Sequence, residues 1–217
     1  MKLPSLRKKD PAPAPNPLVS DLSLPDASTP RRRQEIISII ALVVIAILIA
    51  FFIKAFVIQP YEVDGVSMYP TLHNGDRLLV DKLPGTLTHL GGHKYIPKRG
   101  DIIIFNEDNL PGYVGTRQLV KRVIGLPGNK VVVENNTVRV YDQAHPNGFN
   151  PDKIGTYTIN VPSAPNTTIT LGKNELFVMG DNRPNSEDSR YFGPINLSQV
   201  IGKLWLRIYP LGQAHHF

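Results

Sequence analysis

Nothing in this chain limits its fold more than the stretch from Ile36 to Ile53, which is uncharged and almost wholly apolar. Such a segment has no polar face to turn toward water. Lys54 interrupts it and Ala55 to Ile58 continue it, giving roughly the ~20 residues that cross a bilayer. A lysine at the end of such a helix can reach the headgroups with its ammonium. A cleaved signal peptide fits less well. The apolar run is longer than an h-region of about 7–15 residues, it starts late, and no small-x-small site follows it. A transmembrane helix is therefore expected over 35–58. Before it, Met1 to Glu35 carries seven Lys/Arg against four acids, and Arg31-Arg32-Arg33 sits at the helix start. The positive-inside rule then puts the N-terminus in the cytoplasm and everything after Ile58 on the extracytoplasmic face. This is the pattern of a single-pass membrane protein with the lipid bilayer as a partner.

The flanks differ in kind. Residues 1–34 form a proline-rich tail, with Asp10-Pro11-Ala12-Pro13-Ala14-Pro15-Asn16-Pro17 at its centre. Such a tail cannot bury a core and reads as a disordered cytoplasmic segment. Residues 59–217 carry short β-branched and aromatic runs between turn signals. The runs are Asp76–Asp81, Asp101–Phe105, Gln118–Ile124, Lys130–Glu134, Thr137–Tyr141, Thr156–Val161, Glu175–Met179 and Val200–Ile208,. At most one short helix fits, near Asn196–Val200. Thr86–Arg99 reads as a loop, and the polar stretch Gln143–Pro165 as a hairpin excursion or long loop. The expected class is mainly β: one N-terminal transmembrane helix, then an antiparallel β-rich domain with a hairpin or loop insertion.

Several chemistries are excluded or disfavoured. The chain has no cysteine, so no disulfide framework, zinc–thiolate site or cysteine nucleophile is possible. His89 and His93 have i,i+4 spacing, but Gly91-Gly92 between them opposes a shared helical face and no acidic third ligand is near. No metal and no cofactor is expected. The net charge is +6, part of it in the tail. No recognition helix or aromatic–basic interleaving appears, so no nucleic-acid partner is expected.

The segment Val63-Asp64-Gly65-Val66-Ser67-Met68-Tyr69-Pro70-Thr71-Leu72 presents a serine between glycine and proline. Ser67 is either an ordinary turn serine or a nucleophile. A serine needs a base, and none of the six histidines sits in a suggestive constellation. A Gly-x-Ser-x-Gly elbow is also missing, because Tyr69 takes the last glycine position. Lysine can be the base only when neutral. Its reference pKa of about 10.4 must fall by ~2 units, each worth about 1.4 kcal/mol, and burial does this. Lys121 lies in the strand pattern Leu119-Val120-Lys121-Arg122-Val123-Ile124, where Leu119, Lys121 and Val123 share a face and Arg122 points to the other. From the pattern alone, Lys121 is either an edge lysine that blocks aggregation or a buried base.

The blocks Gly65–Leu72, Arg99-Gly100-Asp101-Ile102-Ile103, Lys121-Arg122-Val123-Ile124-Gly125-Leu126-Pro127-Gly128 and Gly180-Asp181-Asn182-Arg183 through Ser186, Asp188, Ser189, Arg190 and Tyr191 follow the apolar helix in order. Together the chain resembles the type I signal peptidases, membrane-anchored serine proteases with a Ser–Lys dyad. The resemblance implies an endopeptidase that removes signal peptides from preproteins after small residues, in an Ala-x-Ala pattern. It implies Ser67 as nucleophile, Lys121 as general base, and Ser186 as the serine that hydrogen-bonds the lysine amine. Asp188 and Arg190 would form an ion-pair network with Arg122, and the turn holding Asp181 would support the site.

Some family members carry a serine, as a second oxyanion donor, two positions before the nucleophile. Here that position is Gly65, as in other members. Val63, Gly65, Met68, Leu72, Leu119 and Val120 are candidate substrate-binding residues, with the peptide added as a strand beside Tyr61–Val66. The nine positions from Ile58 to Ser67 span at most about 30 Å. Ser67 is therefore expected near the outer membrane surface, in functional proximity to the secretion translocon, with Met68 and Tyr69 as a candidate lipid-touching surface. Two other readings compete: a self-cleaving Ser–Lys repressor, which the anchor opposes, and an anchored binding domain with a degenerate dyad.

Overall fold

The computed structural model describes residues 30–52, 57–82, 95–108, 110, 112–153, 157–159 and 163–217. The chain divides into two units, residues 1–48 and 49–217. Helix α1 (Pro30–Phe52), most of which lies in the first unit, begins at a proline, which is tolerated where an N–H has no helical partner. Every side chain from Arg32 to Phe52 is exposed. Those 21 residues are about 31 Å long at 1.5 Å per residue, close to the ~30 Å hydrocarbon core. The hydroxyl of Ser38 donates back to the Gln34 carbonyl at 2.9 Å, so the helix satisfies it internally. Ile58, expected at the end of this helix, instead opens strand β1 (Ile58–Glu62). Pro60 explains why no helix forms there, since proline lacks an N–H and clashes with a preceding turn.

Among the described residues of the second unit, eleven strands form two antiparallel sheets. The first contains β1, β2 (Arg77–Asp81), β3 (Ile102–Glu107), β4 (Arg117–Gly125), β8 (Glu175–Met179), β9 (Ile195–Asn196), β10 (Val200–Tyr209) and β11 (His215–His216). Its order is β1-β2-β10-β3-β4-β8-β9, with β11 on β10. The second is β6-β5-β7, from β5 (Lys130–Glu134), β6 (Thr137–Tyr141) and β7 (Thr167–Thr170). Asn135 and Asn136 both adopt positive φ, 49° and 57°, the geometry of a tight two-residue hairpin turn. The sheets meet at Gly125, where a Cβ would fall 2.7 Å from both Leu171 and Val131.

The mainly β, antiparallel class is as expected, and seven of the eight anticipated strands are present near their anticipated limits. The eighth, Thr156–Val161, is not seen: Tyr157–Ile159 carry no strand and the rest lies outside the described residues. The anticipated loop Thr86–Arg99 also lies mostly outside them. Strands β1, β7, β9 and β11 and a single helical turn, α2 (Ser189–Phe192), were not anticipated. The two-residue strands are too short to show a period, and three of the four β7 residues are threonine.

Two features of the first sheet position the site. Among the described residues, strand β1 is an edge that pairs only β2. Strand β4 pairs β3 from Arg117 to Arg122, but β8 joins its other side only from Arg122 onward. Among the described residues, its first half therefore has no strand on that side. Met68 and Leu72, with exposures of 1% and 0%, pack into the core beside Leu78, Val80, Ile104 and Leu204.

Candidate active site

Ser67 sits in the turn after β1. Gly65 has φ +112°, a conformation that disfavours any side chain. Its N–H donates to Asn74 Oδ1 at 2.8 Å, and Gly75 N–H donates to the Val63 carbonyl at 2.8 Å. Met68 and Leu72, buried below, hold the turn from one side. Asn182 holds it from the other: its N–H donates to the Ser67 carbonyl at 2.9 Å and its amide to the Val66 carbonyl at 3.1 Å. The Ser67 N–H has no hydrogen-bond acceptor among the described residues.

Lys121 comes from β4, opposite Ile103, and is 3% exposed. It is not an edge lysine in water, since from Lys121 to Gly125 both faces of β4 are buried. Its Nζ lies 2.7 Å from Ser67 Oγ. Burial, the dominant cause, pulls its pKa down to about 8, against the attraction of Asp188 and Glu187,. An amine at that value is partly neutral near physiological pH and can accept a hydroxyl proton, whereas its charged form donates to Ser67 Oγ.

The third block ties these two elements together. Asp181 accepts from Arg122 Nε at 2.8 Å, from Arg122 Nη2 at 2.6 Å and from Thr71 Oγ1 at 2.5 Å. One carboxylate thus clamps the Ser67 segment to the lysine strand. Arg122 also donates to the Gly100 carbonyl at 2.8 Å, and its guanidinium lies over the Tyr157 ring at 4.2 Å. Asp188 pairs with Arg190 through two contacts of 2.8 Å and accepts the Gly180 N–H at 2.9 Å. The expected network of Asp188 and Arg190 with Arg122 therefore separates into two pairs, because Arg122 is already satisfied by Asp181. Arg183, fully buried, pairs with Asp152 and donates to Ser163 Oγ and the Gly180 carbonyl, anchoring the polar insertion to this block.

Ser186 departs from its expected contact. Its Oγ is buried and has no hydrogen-bond partner among the described residues, the Lys121 amine included. It packs against Gly180, where a Cβ would come within 2.2 Å of it.

A cleft of about 190 Å³ runs past Ser67 and Lys121; Val63, Ile104, Leu119 and Val120 give its apolar wall, and Tyr61, Glu62, Asp64, Arg117 and Gln118 complete it. Of the candidate substrate-binding residues, Val63, Leu119 and Val120 are in its walls. Gly65, Met68 and Leu72 are not. Met68 and Leu72 are core, so Met68 cannot form a lipid-touching surface, whereas Val66 and Tyr69 are 55% and 52% exposed. The helical-spaced apolar residues after Ser67 point inward because the turn folds over the β2 and β10 core. Asn74, Asp152 and the Thr71 hydroxyl make contacts here that were not singled out from sequence. Among the described residues, no group of three His, Cys, Asp or Glu could hold a metal ion; His89 and His93 lie outside them.

The chain belongs to the family described as signal peptidase, peptidase S26, which matches residues 36–209. Signal peptidase IB of Staphylococcus aureus strain COL is 34% identical over 194 residues, covering 85% of this chain and 95% of the relative. Signal peptidase I P of Bacillus subtilis subsp. natto is 34% identical over 193 residues, covering 86% and 96%. The crystal structure of a signal peptidase I from Enterococcus faecalis is 30% identical, with 50% of this chain and 96% of that chain covered and a TM-score of 0.38.

Proposed function

We propose that the chain is a signal peptidase I, an endopeptidase that removes N-terminal signal peptides from preproteins, with Ser67 as nucleophile and Lys121 as general base. The observation that carries this reading is the 2.7 Å approach of Lys121 Nζ to Ser67 Oγ by an amine whose pKa falls to about 8.

Neutral Lys121 takes the Ser67 proton as Oγ bonds to the scissile carbonyl carbon. The resulting ammonium gives that proton to the departing amine as the C–N bond breaks, leaving a Ser67 ester. Lys121, neutral again, takes a proton from water as the water oxygen attacks the ester. The proton then returns to Ser67 Oγ as the acid product leaves. The free Ser67 N–H donates to the developing oxyanion. Gly65 N–H cannot be the second donor while it is bonded to Asn74.

The peptide enters extended, between the edge of β1 and the open first half of β4. Val63, Ile104, Leu119 and Val120 leave room for small side chains only. The buried carboxylate–arginine pairs, Asp181 with Arg122 and Asp188 with Arg190, keep the two halves of the dyad in register. Ser186, facing Gly180 without a partner, turns to the lysine amine during the reaction. In this reading the N-terminal tail is cytoplasmic, α1 (Pro30–Phe52) supplies the membrane anchor expected over 35–58, and 59–217 are the peptidase domain on the extracytoplasmic face. The short tether keeps Ser67 near lipid, where preproteins leave the translocon.

Detergent-solubilised protein incubated with a preprotein should release the signal peptide. No cleavage by the wild type, or unchanged cleavage by Ser67→Ala and Lys121→Ala, would sink the proposal.

A further inference from the structure

A cavity of about 530 Å³ lies apart from the Ser67–Lys121 cleft and shares no residue with it. Four cations line it, Lys98, Arg99, Arg122 and Lys203, and Asp101 is the one carboxylate side chain in its wall. His215, His216 and Phe217 from the β11 end, with Thr71, Gly100 and Ile102, complete it. Asp101 is already matched: Lys203 Nζ lies 2.9 Å from one oxygen, and the Lys98 N–H donates to the other at 2.8 Å. Arg122 is held by Asp181 and the Gly100 carbonyl. Arg99 reaches Asp142 only at 3.4 Å, and that carboxylate is shared with His145, 2.8 Å away. Burial pulls the Arg99 guanidinium below its ordinary pKa, and Asp142 offsets this only in part,. The Lys98 ammonium, the Arg99 Nε–H and the ring nitrogens of His215 and His216 have no hydrogen-bond or ion-pair partner among the described residues. The cavity thus combines an excess of positive charge with unused donors on four side chains.

We propose that this cavity binds a phosphate ester carrying a small polar group. The site does not depend on the peptidase reading. A phosphoryl group brings negative charge and several acceptor oxygens, which match an ammonium, a guanidinium N–H and two imidazoles. The volume lies within the ~300–1,000 Å³ of small-molecule sites, so inorganic phosphate alone would leave most of it empty. Ile102 and Phe217 are the only apolar residues of the wall, so the organic part is polar. Such esters exist as free small molecules and as lipid headgroups, and both present the same group. Thr71 and Arg122 also hold Asp181, so an occupant would touch the two residues that fix the Ser67 segment to β4.

The test is calorimetric titration of the full chain in an uncharged detergent, with glycerol 3-phosphate as probe and glycerol as control. Saturable binding of the phosphate and none of glycerol is expected. Lys98→Gln should weaken binding about tenfold, the scale of one hydrogen bond to a charged group. Lys98→Arg, which keeps the charge, should retain it. Lys173→Gln, at an exposed lysine outside the cavity, should match the wild type. His216→Gln gives a second measurement should Lys98→Gln melt early, with a loss of about threefold for a neutral donor. Repeating the titration in nanodiscs that contain phosphatidylglycerol separates the two sources. Weaker apparent binding than in detergent supports the site with a lipid headgroup as occupant, and unchanged binding supports it with the free ester. No saturable binding, equal losses in Lys98→Gln and Lys173→Gln, or affinity unchanged in both Lys98→Gln and His216→Gln overturns the proposal.

Discussion

Lys121 Nζ and Ser67 Oγ stand 2.7 Å apart although 54 positions separate them in the chain. The lysine is presented by a strand and the serine by a turn, so their approach depends on how two distant segments pack. Ser67→Ala and Lys121→Ala should each lower signal-peptide release at least about a thousandfold, the scale seen when a nucleophile or its base is removed. Lys121→Arg should be as inactive as Lys121→Ala, since arginine does not become neutral. Single-turnover cleavage of a preprotein checks this, and near-wild-type cleavage by Lys121→Arg would contradict it.

The buried amine sets the pH dependence. With a Lys121 pKa near 8, kcat/KM should rise through about pH 8 as the base form appears. A rising limb near 10.5 would show that the amine titrates as an exposed lysine.

The same burial makes the dyad costly to fold. The folded state binds the Lys121 proton less tightly than the unfolded chain, whose reference value is 10.5 against about 8. Below about pH 8 both states hold the proton, and the folded state carries the full cost of about 3 kcal/mol, at about 1.4 kcal/mol per tenfold. Between about pH 8 and 10.5 only the unfolded chain holds it, so stability from this group increases with pH. Lys121→Met should therefore be inactive yet more stable at pH 7, by roughly 1–3 kcal/mol. Denaturant unfolding of wild type and variant at pH 7 and 10 would measure both signs.

Gly180 has no room for a side chain. A Cβ would meet Ser186 Oγ at 2.2 Å and the Ser67 carbonyl oxygen at 2.5 Å. Gly180→Ala should displace the nucleophile turn, costing about 1–3 kcal/mol in stability and at least about tenfold in kcat, since small misplacements of reacting groups are expensive. A kcat equal to wild type would show that the turn and Ser186 yield freely.

Asp181 is fixed by both halves of the site, through Thr71 and Arg122. Asp181→Asn leaves Arg122, 5% exposed, without its countercharge. A loss of about 3–5 kcal/mol is expected, together with reduced activity. Replacing Arg122 by Met as well should recover part of the stability but not the activity. A double variant no more stable than Asp181→Asn alone would argue against the unpaired charge as the cause.

Much of this was legible before any fold was known. The apolar run gave a helix of membrane-crossing length, and alternation gave β2 to β6, β8 and β10. The partner of Arg122 was not legible. Strand alternation says which face Arg122 occupies, but Asp181 and Asp188 both lie in the same short block, and choosing between them takes distances. Met68 and Leu72 were misassigned to the cleft for a similar reason. Apolar residues beside Ser67 suit either a pocket or a core, and only the path of the turn decided that they are core.

By itself, then, the sequence determined the types of group available: one serine in a constrained turn, one lysine among apolar neighbours, no cysteine, and a segment long and apolar enough to cross a membrane. Local pattern and chemistry suffice for those. The tertiary structure decided that Lys121 is buried and within reach of Ser67, that Gly65 N–H is already taken by Asn74, and that the buried Ser186 hydroxyl has no hydrogen-bond partner among the described residues. Each of these depends on desolvation and on distances between segments far apart in the chain, which no local pattern records.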